Sequence, residues 1–416
     1  MSVPQDDGFT RPFTAGVDWA KDNHVARVVD AAGRSVERMV VSHSKAGLAR
    51  LIVMLDRQQV VEVGIERPDG PVIDVLLASG RTVFVIPPSQ VKALRGRYGS
   101  VGNKDDHYDA YVLADVVRTD RVRLTPLVRD QPGTVALRSL VRARRDLVRT
   151  RVAMTNQLRA HLDIALPGVV GLFAELDSKV SRQFLAAFAT QDDVDRLLAG
   201  GVDALAGWLK GAGYNQKTKT EVLFGRLADA ARGPAGGHGS ALAGITRAYL
   251  AAVTALVEQI AALTEQIDEA FQAHPDKAIF GSLPRAGTLR AARLLAEIGD
   301  ARGRFPTANS LAGLAGVVPS TRRSGNVTVI SFRWSVDKQL RDALCDFAAD
   351  SRNANPWAAD LYRQARKRGH RHPHAVRIVA RSWASVIWTC WTTNSVYNPD
   401  KHGALQRLLK QQQEAA

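Results

Sequence analysis

Two long stretches with helical apolar spacing occupy the middle of this chain, and they constrain its architecture more than any other feature. Between residues 134 and 166, apolar side chains recur at Leu137, Val141, Leu147, Met154, Leu158 and Leu162, which keeps one face of a helix apolar. Between 241 and 272, Val253, Leu256, Ile260, Leu263 and Ile267 follow at intervals of 3, 4, 3 and 4, the seam of a coiled coil. A weaker helical stretch and the break Gly233-Pro234-Ala235-Gly236-Gly237, read as a mobile loop, separate them. The pair predicts an antiparallel helical hairpin or a dimerisation arm, its seam packing within one chain or against a second copy. It also splits the 416 residues into three portions, in keeping with roughly 100–200 residues per domain. The expected division is a tail at 1–12, a first domain at 13–130, the helical coiled-coil region with its insertion at 131–275, a C-terminal domain at 276–400 and a tail at 401–416, its end frayed.

The first portion alternates short apolar strands with helices. Residues 14–20, 24–29 and 35–41 read as an antiparallel meander. A helix over 45–58, a buried strand over 61–66, a helix over 72–78, a strand over 82–86 and a helix over 106–118 follow. This order predicts an α/β domain with a mixed sheet. The last portion is mainly helical, with helices expected over 289–298, 338–350, 358–367 and 375–391, and with a polar stretch over 320–328.

Charge narrows the function. Lys+Arg number 56 against 41 Asp+Glu, a net +15, which suits a polyanionic partner. No run approaches the roughly 20 apolar residues of a membrane-spanning helix, so no membrane partner is expected. Two cysteines, Cys345 and Cys390, fit a thiol-reduced, cytoplasmic protein and offer no structural zinc site.

The carboxylates carry the chemistry. Asp18 ends the first strand and Glu66 ends the fourth. Asp106 and Asp109 lie three apart in Lys104-Asp105-Asp106-His107-Tyr108-Asp109-Ala110, side by side on one helix face. Singly, each acid reads as solvated or as answering a helix dipole. Together they form the acid set of an RNase H-like nuclease core, and their hard oxygen donors favour Mg²⁺ or Mn²⁺.

At this point the sequence resembles a known family. Gly16-Val17-Asp18-Trp19-Ala20-Lys21, Gly64-Ile65-Glu66 and Lys104-x-Asp106-x-x-Asp109-Ala110 look like the DEDD motifs of the insertion-sequence "one-ten" transposases, the bridge-RNA-guided recombinases. Ser282-Leu283-Pro284-Arg285-Ala286-Gly287, Leu294 to Asp300, Arg304-Phe305 and Leu314 to Gly325 are similar to the family's C-terminal domain. The resemblance implies a RuvC-like (RNase H-like) N-terminal domain whose metal ligands are Asp18, Glu66, Asp106 and Asp109, with Asp105 a neighbouring alternative to Asp106. It implies that Ser324 is the nucleophile and forms a covalent phosphoserine link during strand exchange. It also implies donor and target DNA, a structured guide RNA, a dimer or tetramer with a composite active site, and a bacterial, nucleoid-associated setting. Arg285 stands where the family has glycine, and Arg67-Pro68-Asp69-Gly70 replaces its usual segment after the glutamate. From the residues alone, Ser324 is a turn serine with Ser320, Ser331 and Ser335 as rivals. A RuvC-like nuclease using activated water, and a non-catalytic nucleic-acid-binding protein, remain the alternative readings.

Candidate phosphate contacts are Lys104, the arginines beside the serine (Arg322, Arg323), the Arg-rich helix (Arg138, Arg142, Arg145, Arg149) and the acid-free stretch 361–381 with Arg366, Lys367, Arg368 and Arg371. The Arg-rich helix also reads as a solvated face. Trp383, Trp388 and Trp391 read as core, and the arginines around His370, His372 and His374 disfavour a metal there.

Overall fold

The computed structural model describes residues 13–95, 106–215, 218–325, 327–334 and 336–414. The chain forms two compact units, 1–129 and 130–416.

The first unit is built on strands β1 (Phe13–Asp18), β2 (Asn23–Asp30), β3 (Ser35–Ser42), β4 (Glu62–Ile65) and β5 (Thr82–Val85), with helices α1 (Lys45–Arg57), α2 (Pro71–Ala78), α3 (Pro88–Arg95) and α4 (Asp106–Asp120). The sheet order is β3-β2-β1-β4-β5. The first three strands pair antiparallel, and β4 and β5 join β1 in parallel. The mixed α/β sheet expected from the sequence is therefore present. Alternation along β1 explains its two faces. Ala15 and Val17 enter a core with Leu51, Leu55, Val63, Ile65 and Leu76. Thr14 and Gly16 face the other way, where the Thr14 hydroxyl donates to the Ala114 carbonyl of α4 at 2.9 Å.

Two glycines set how α4 lies. Gly16 and Gly64 are register partners on neighbouring strands. A Cβ on Gly16 would overlap the Ala110 carbonyl oxygen and come within 2.8 Å of Leu113 Cβ. A Cβ on Gly64 would stand 2.6 Å from the Leu113 carbonyl oxygen. The helix backbone thus rests in a notch that only glycine leaves open. Ala110, Leu113, Ala114 and Val117 are fully buried along it.

The second unit contains α5 (Pro132–Ala165), α6 (Lys179–Ala187), α7 (Gln191–Ala199), α8 (Gly201–Gly211), α9 (Thr220–Ala228), α10 (Gly236–Gln272), α11 (Lys277–Gly281), α12 (Gly287–Ile298), α13 (Ala308–Leu314), α14 (Lys338–Ser351), α15 (Pro356–Lys367), α16 (His372–Thr392) and α17 (Gly403–Glu414). A two-stranded hairpin, β6 (Ser320–Ser324) and β7 (Val327–Ser331), stands between α13 and α14. Helices α5 and α10 run antiparallel. Arg144 Nε donates to Thr264 Oγ1 at 2.7 Å near one end, and His161 bonds Thr246 Oγ1 at 2.9 Å near the other.

The predicted seam packs within the chain: Val253, Ile260 and Ile267 are buried, while Leu256 and Leu263 are half-buried. One end of this pair joins the core with Phe280, Leu295, Phe347, Trp383 and Trp391. The other joins the core of the insertion with Phe184, Leu209 and Leu227.

Three expectations change. Helix α10 is long and apolar enough to cross a membrane by length and composition alone, because its alanines add to the hydropathy of its Leu, Val and Ile side chains. The glycine-rich break is pinned: the Gly233 N–H donates to Gln191 Oε1 at 2.9 Å. The C-terminal stretch expected to fray, from Gln406, is helical to Glu414 as part of α17.

Gly64→Ala is expected to lower the unfolding midpoint of the first unit, by roughly 1–3 kcal/mol of overpacking. Gly207→Ala, which meets nothing within 4 Å, serves as a control and should be neutral or stabilising by under about 1 kcal/mol. Chemical denaturation of the two variants checks this.

Candidate active site and nucleic-acid interface

The strand order brings Asp18 and Glu66 to one end of the sheet. Val17 and Ile65 are the last register partners of parallel neighbours β1 and β4. Asp18 and Glu66 follow them at the same end of the sheet, about 4.8 Å apart by strand spacing. Each lies two residues beyond a notch glycine, so both belong to the face that α4 covers. Asp109 sits one turn into α4, immediately before Ala110, and is 4% exposed. Asp106 opens the same helix. Among the described residues, no group of three His, Cys, Asp or Glu side chains is close enough to hold a metal ion. Lys104 and Asp105 lie outside the described residues, as does the Asp106 side chain. The candidate donors are all carboxylates, with hard oxygen atoms. That chemistry fits a hard divalent cation.

Arg67 adds a cation at this edge that its sequence position did not reveal. Its guanidinium lies 4.2 Å over the Trp19 ring, so residues next to Glu66 and Asp18 hold one another. Behind Trp19, His24 Nε2 and His43 Nδ1 are 2.8 Å apart. Burial, then the His43 charge, keeps the His24 pKa below its ordinary value.

Ser324 is the last residue of β6, paired with Val327 of β7. Gly325 has a φ of +55°, which a tight hairpin turn requires. The polar stretch expected at 320–328 is thus a β-hairpin, and the Gly-Asn pair between Ser324 and Val327 was its signal. Ser324, Arg322 and Arg323 are all exposed. Of the rival serines, Ser320 and Ser331 pair at the foot of the hairpin, and Ser335 lies outside the described residues. Neither thiol competes as a nucleophile: burial pushes Cys345 up to about 11 and raises Cys390.

The arginines of α5 are engaged inside the fold. Arg138 Nε donates to the Ala296 carbonyl at 2.6 Å, and its guanidinium pairs with Asp130. Arg142 forks onto Glu297 at 3.0 and 2.6 Å, a carboxylate only 2% exposed. Arg145 pairs with Gln339 and Asp342. Arg149 is 60% exposed and lies 3.7 Å from Asp146. What reads as one basic face in sequence is therefore mostly an ion-pair seam to α12 and α14. Arg366, Lys367, Arg368 and Arg371 stay exposed at the turn from α15 to α16, where cations answer the helix dipole. Trp383 and Trp391 are fully buried, as expected. The three histidines do not converge: His370 packs on His374, while His372 bonds the Tyr362 hydroxyl.

Arg285 occupies a left-handed backbone conformation, φ +56°, where the resembling family has glycine. Its ion pair to Asp350 at 3.1 Å offsets part of that strain.

Comparisons with known proteins show the family. A DEDD transposase profile of the IS110 type matches residues 15–167. The profile of the IS116/IS110/IS902 transposase family matches 277–363. The IS117 mini-circle protein of Streptomyces coelicolor is 30% identical over 95% of this chain and 97% of its own length. The chain belongs to the IS110 family of transposases. The 42 kDa protein of insertion element IS900 from Mycobacterium paratuberculosis is 29% identical, over 94% and 98% of the two chains. The 44.8 kDa protein of IS116 from Streptomyces clavuligerus is 28% identical, over 92% and 96%. Both profiles include the candidate residues: the acids fall in the first and Ser324 in the second.

One consequence for stability concerns Asp130. Burial raises its carboxyl pKa, but the Arg138 hydrogen bond and charge, the Ala301 N–H and Arg304 outweigh that and hold it below the ordinary value. A depressed carboxyl stabilises the fold above its unfolded pKa near 4, and that stability is lost as pH falls through the folded value. Asp130→Asn is expected to remove roughly 2–4 kcal/mol at pH 7 and to flatten the acid limb below about pH 4. Unfolding midpoints measured from pH 3 to 7 check both.

Proposed function

We propose that this transposase joins donor and target DNA through a serine–phosphate intermediate, with a structured RNA choosing the sequences. The sheet order, with acids at the ends of β1 and β4 and on α4, supports an RNase H-like core of the RuvC type. Asp18, Glu66, Asp106 and Asp109 would hold Mg²⁺ or Mn²⁺. Such an ion supplies Lewis-acid stabilisation of the charge that builds on the phosphate oxygens. The observation that carries the serine reading over a water-activating nuclease is Ser324 exposed at the hairpin tip, beside two exposed arginines.

The reaction balances without hydrolysis. Ser324 Oγ bonds to phosphorus as the bond to the leaving strand oxygen breaks, and that oxygen takes up the serine proton. A hydroxyl of the incoming strand then attacks the phosphoserine, re-forming a phosphodiester and returning Ser324 to its free form. Arg322 and Arg323 offer forked donors to the phosphate through both steps. Exposed Arg366, Lys367, Arg368 and Arg371 and the net +15 charge support contact with DNA and RNA backbones. A multimer, and a nucleoid-associated place in a bacterial cytoplasm, belong to the same reading.

The test is covalent trapping. The purified protein with its co-purifying RNA, Mg²⁺ and labelled element-end DNA should give a denaturation-resistant protein–DNA adduct. Ser324→Ala and Asp109→Asn should each reduce it at least a hundredfold, while Ser320→Ala should not. Metal-dependent cleavage that persists in Ser324→Ala without any adduct would assign the chemistry to activated water.

A further inference from the structure

A cavity of about 630 Å³ opens where the foot of the β6–β7 hairpin meets α16. Arg333, His374, Arg377 and Arg381 line it, and no carboxylate does. Among the described residues, none of the three guanidinium groups forms an ion pair, and the Arg333 Nε–H is buried without a hydrogen-bond partner. Arg377 is held in place by stacking: its guanidinium lies 4.8 Å over the Phe332 ring. Like charges gathered in a recess repel one another unless an anion joins them. On the α5 seam, by contrast, arginines meet carboxylates of this chain.

The rest of the wall combines apolar side chains, including Ile330 and Ile378, with the polar Asn309, Ser331, Ser382 and Ser385. Ile330 is 69% exposed overall, an unusual place for a large aliphatic side chain beside three arginines. Fixed cations facing an apolar wall in a space of this size match one nucleotide, with phosphate to one side and base to the other. A stacked duplex cannot enter such a recess, so the nucleotide must leave its stack. The site lies at the foot of the strands whose tip carries Ser324, four residues and about 13 Å along the hairpin.

We propose that this cavity receives one unpaired nucleotide of the DNA strand on which Ser324 acts, its phosphate on Arg333, Arg377 and Arg381 and its base against Ile330 and Ile378. The identity of the strand rests on the serine reading; binding in the cavity does not. His374 suits the base: burial, then His370 and Arg377, hold its pKa below the ordinary value, leaving a neutral ring that both donates and accepts.

The test separates a filled cavity from lost charge. Ser382 and Ser385 also line the space, and Ser382→Phe fills it while keeping every arginine. Binding of the full chain to a labelled 12-nucleotide single strand, the same sequence as duplex DNA, and the same sequence as RNA is followed by fluorescence anisotropy. The expected result is that Ser382→Phe weakens the DNA single strand at least tenfold and changes the duplex and the RNA less than twofold. Arg381→Gln should weaken the single strand and reduce the salt slope by about one. Thymidine monophosphate should compete for the wild-type protein, where equal inorganic phosphate does not.

Should Ser382→Phe fail to fold, Ser385→Phe replaces it. A folded filling variant that binds the DNA single strand as wild type does would overturn the proposal, and so would a loss confined to RNA. The anisotropy assay reads binding and the covalent adduct reads the serine chemistry, so failure of the serine reading and failure of the cavity read out separately.

Discussion

A helix can lie on a sheet only as closely as the side chains between them allow. In this chain that separation is set by one pair of glycines, Gly16 and Gly64, opposite one another on the two central parallel strands. Without them α4 would be lifted from the sheet, because the carbonyl oxygens of Ala110 and Leu113 occupy the space of the missing Cβ atoms. Asp109 is the residue before Ala110, so the depth of the helix and the depth of the carboxylate are a single quantity. Asp18 and Glu66 stand two residues past the same glycines. The notch therefore ties the packing of α4 to the placement of the proposed metal ligands, and a change of a few tenths of an ångström in one is felt in the other.

The distribution of arginine follows a second rule. Those on α5 near the C-terminal core face acids of the same unit: Asp130, Glu297 and Asp342. They hold the long helix against α12 and α14, and removing one partner would leave a charge stranded. Among the described residues, arginines without such partners include those on the hairpin, around the cavity at its foot, and at the turn between α15 and α16. Net charge alone does not distinguish these two uses.

Much of the fold was legible because period and punctuation carried it. The meander, the parallel strands ended by acids and the two long helices all follow from alternation, spacing and turn residues. The hairpin bearing Ser324 was not read, although Gly325-Asn326 between Ser324 and Val327 is hairpin chemistry; its exposed strands bury too little for a hydrophobic pattern to show. The intramolecular seam was ambiguous for a physical reason, since a heptad face packs equally well on a helix of its own chain or of another. The glycines of the notch were visible as Gly-x-Asp and Gly-x-Glu at matching strand ends. Their meaning needed the strand pairing, which no local pattern supplies. The cavity arginines come from residues 333, 377 and 381, and only the fold brings them together.

The central claim is that the depth of α4 in the glycine notch builds the acid site. Mn²⁺ binding, followed by electron paramagnetic resonance on the purified full chain, tests it most directly. The account predicts one or two saturable sites in the wild-type protein, weakened at least tenfold in Asp109→Asn and also in Gly64→Ala, which removes no ligand. A folded Gly64→Ala protein that binds Mn²⁺ as tightly as wild type would contradict it.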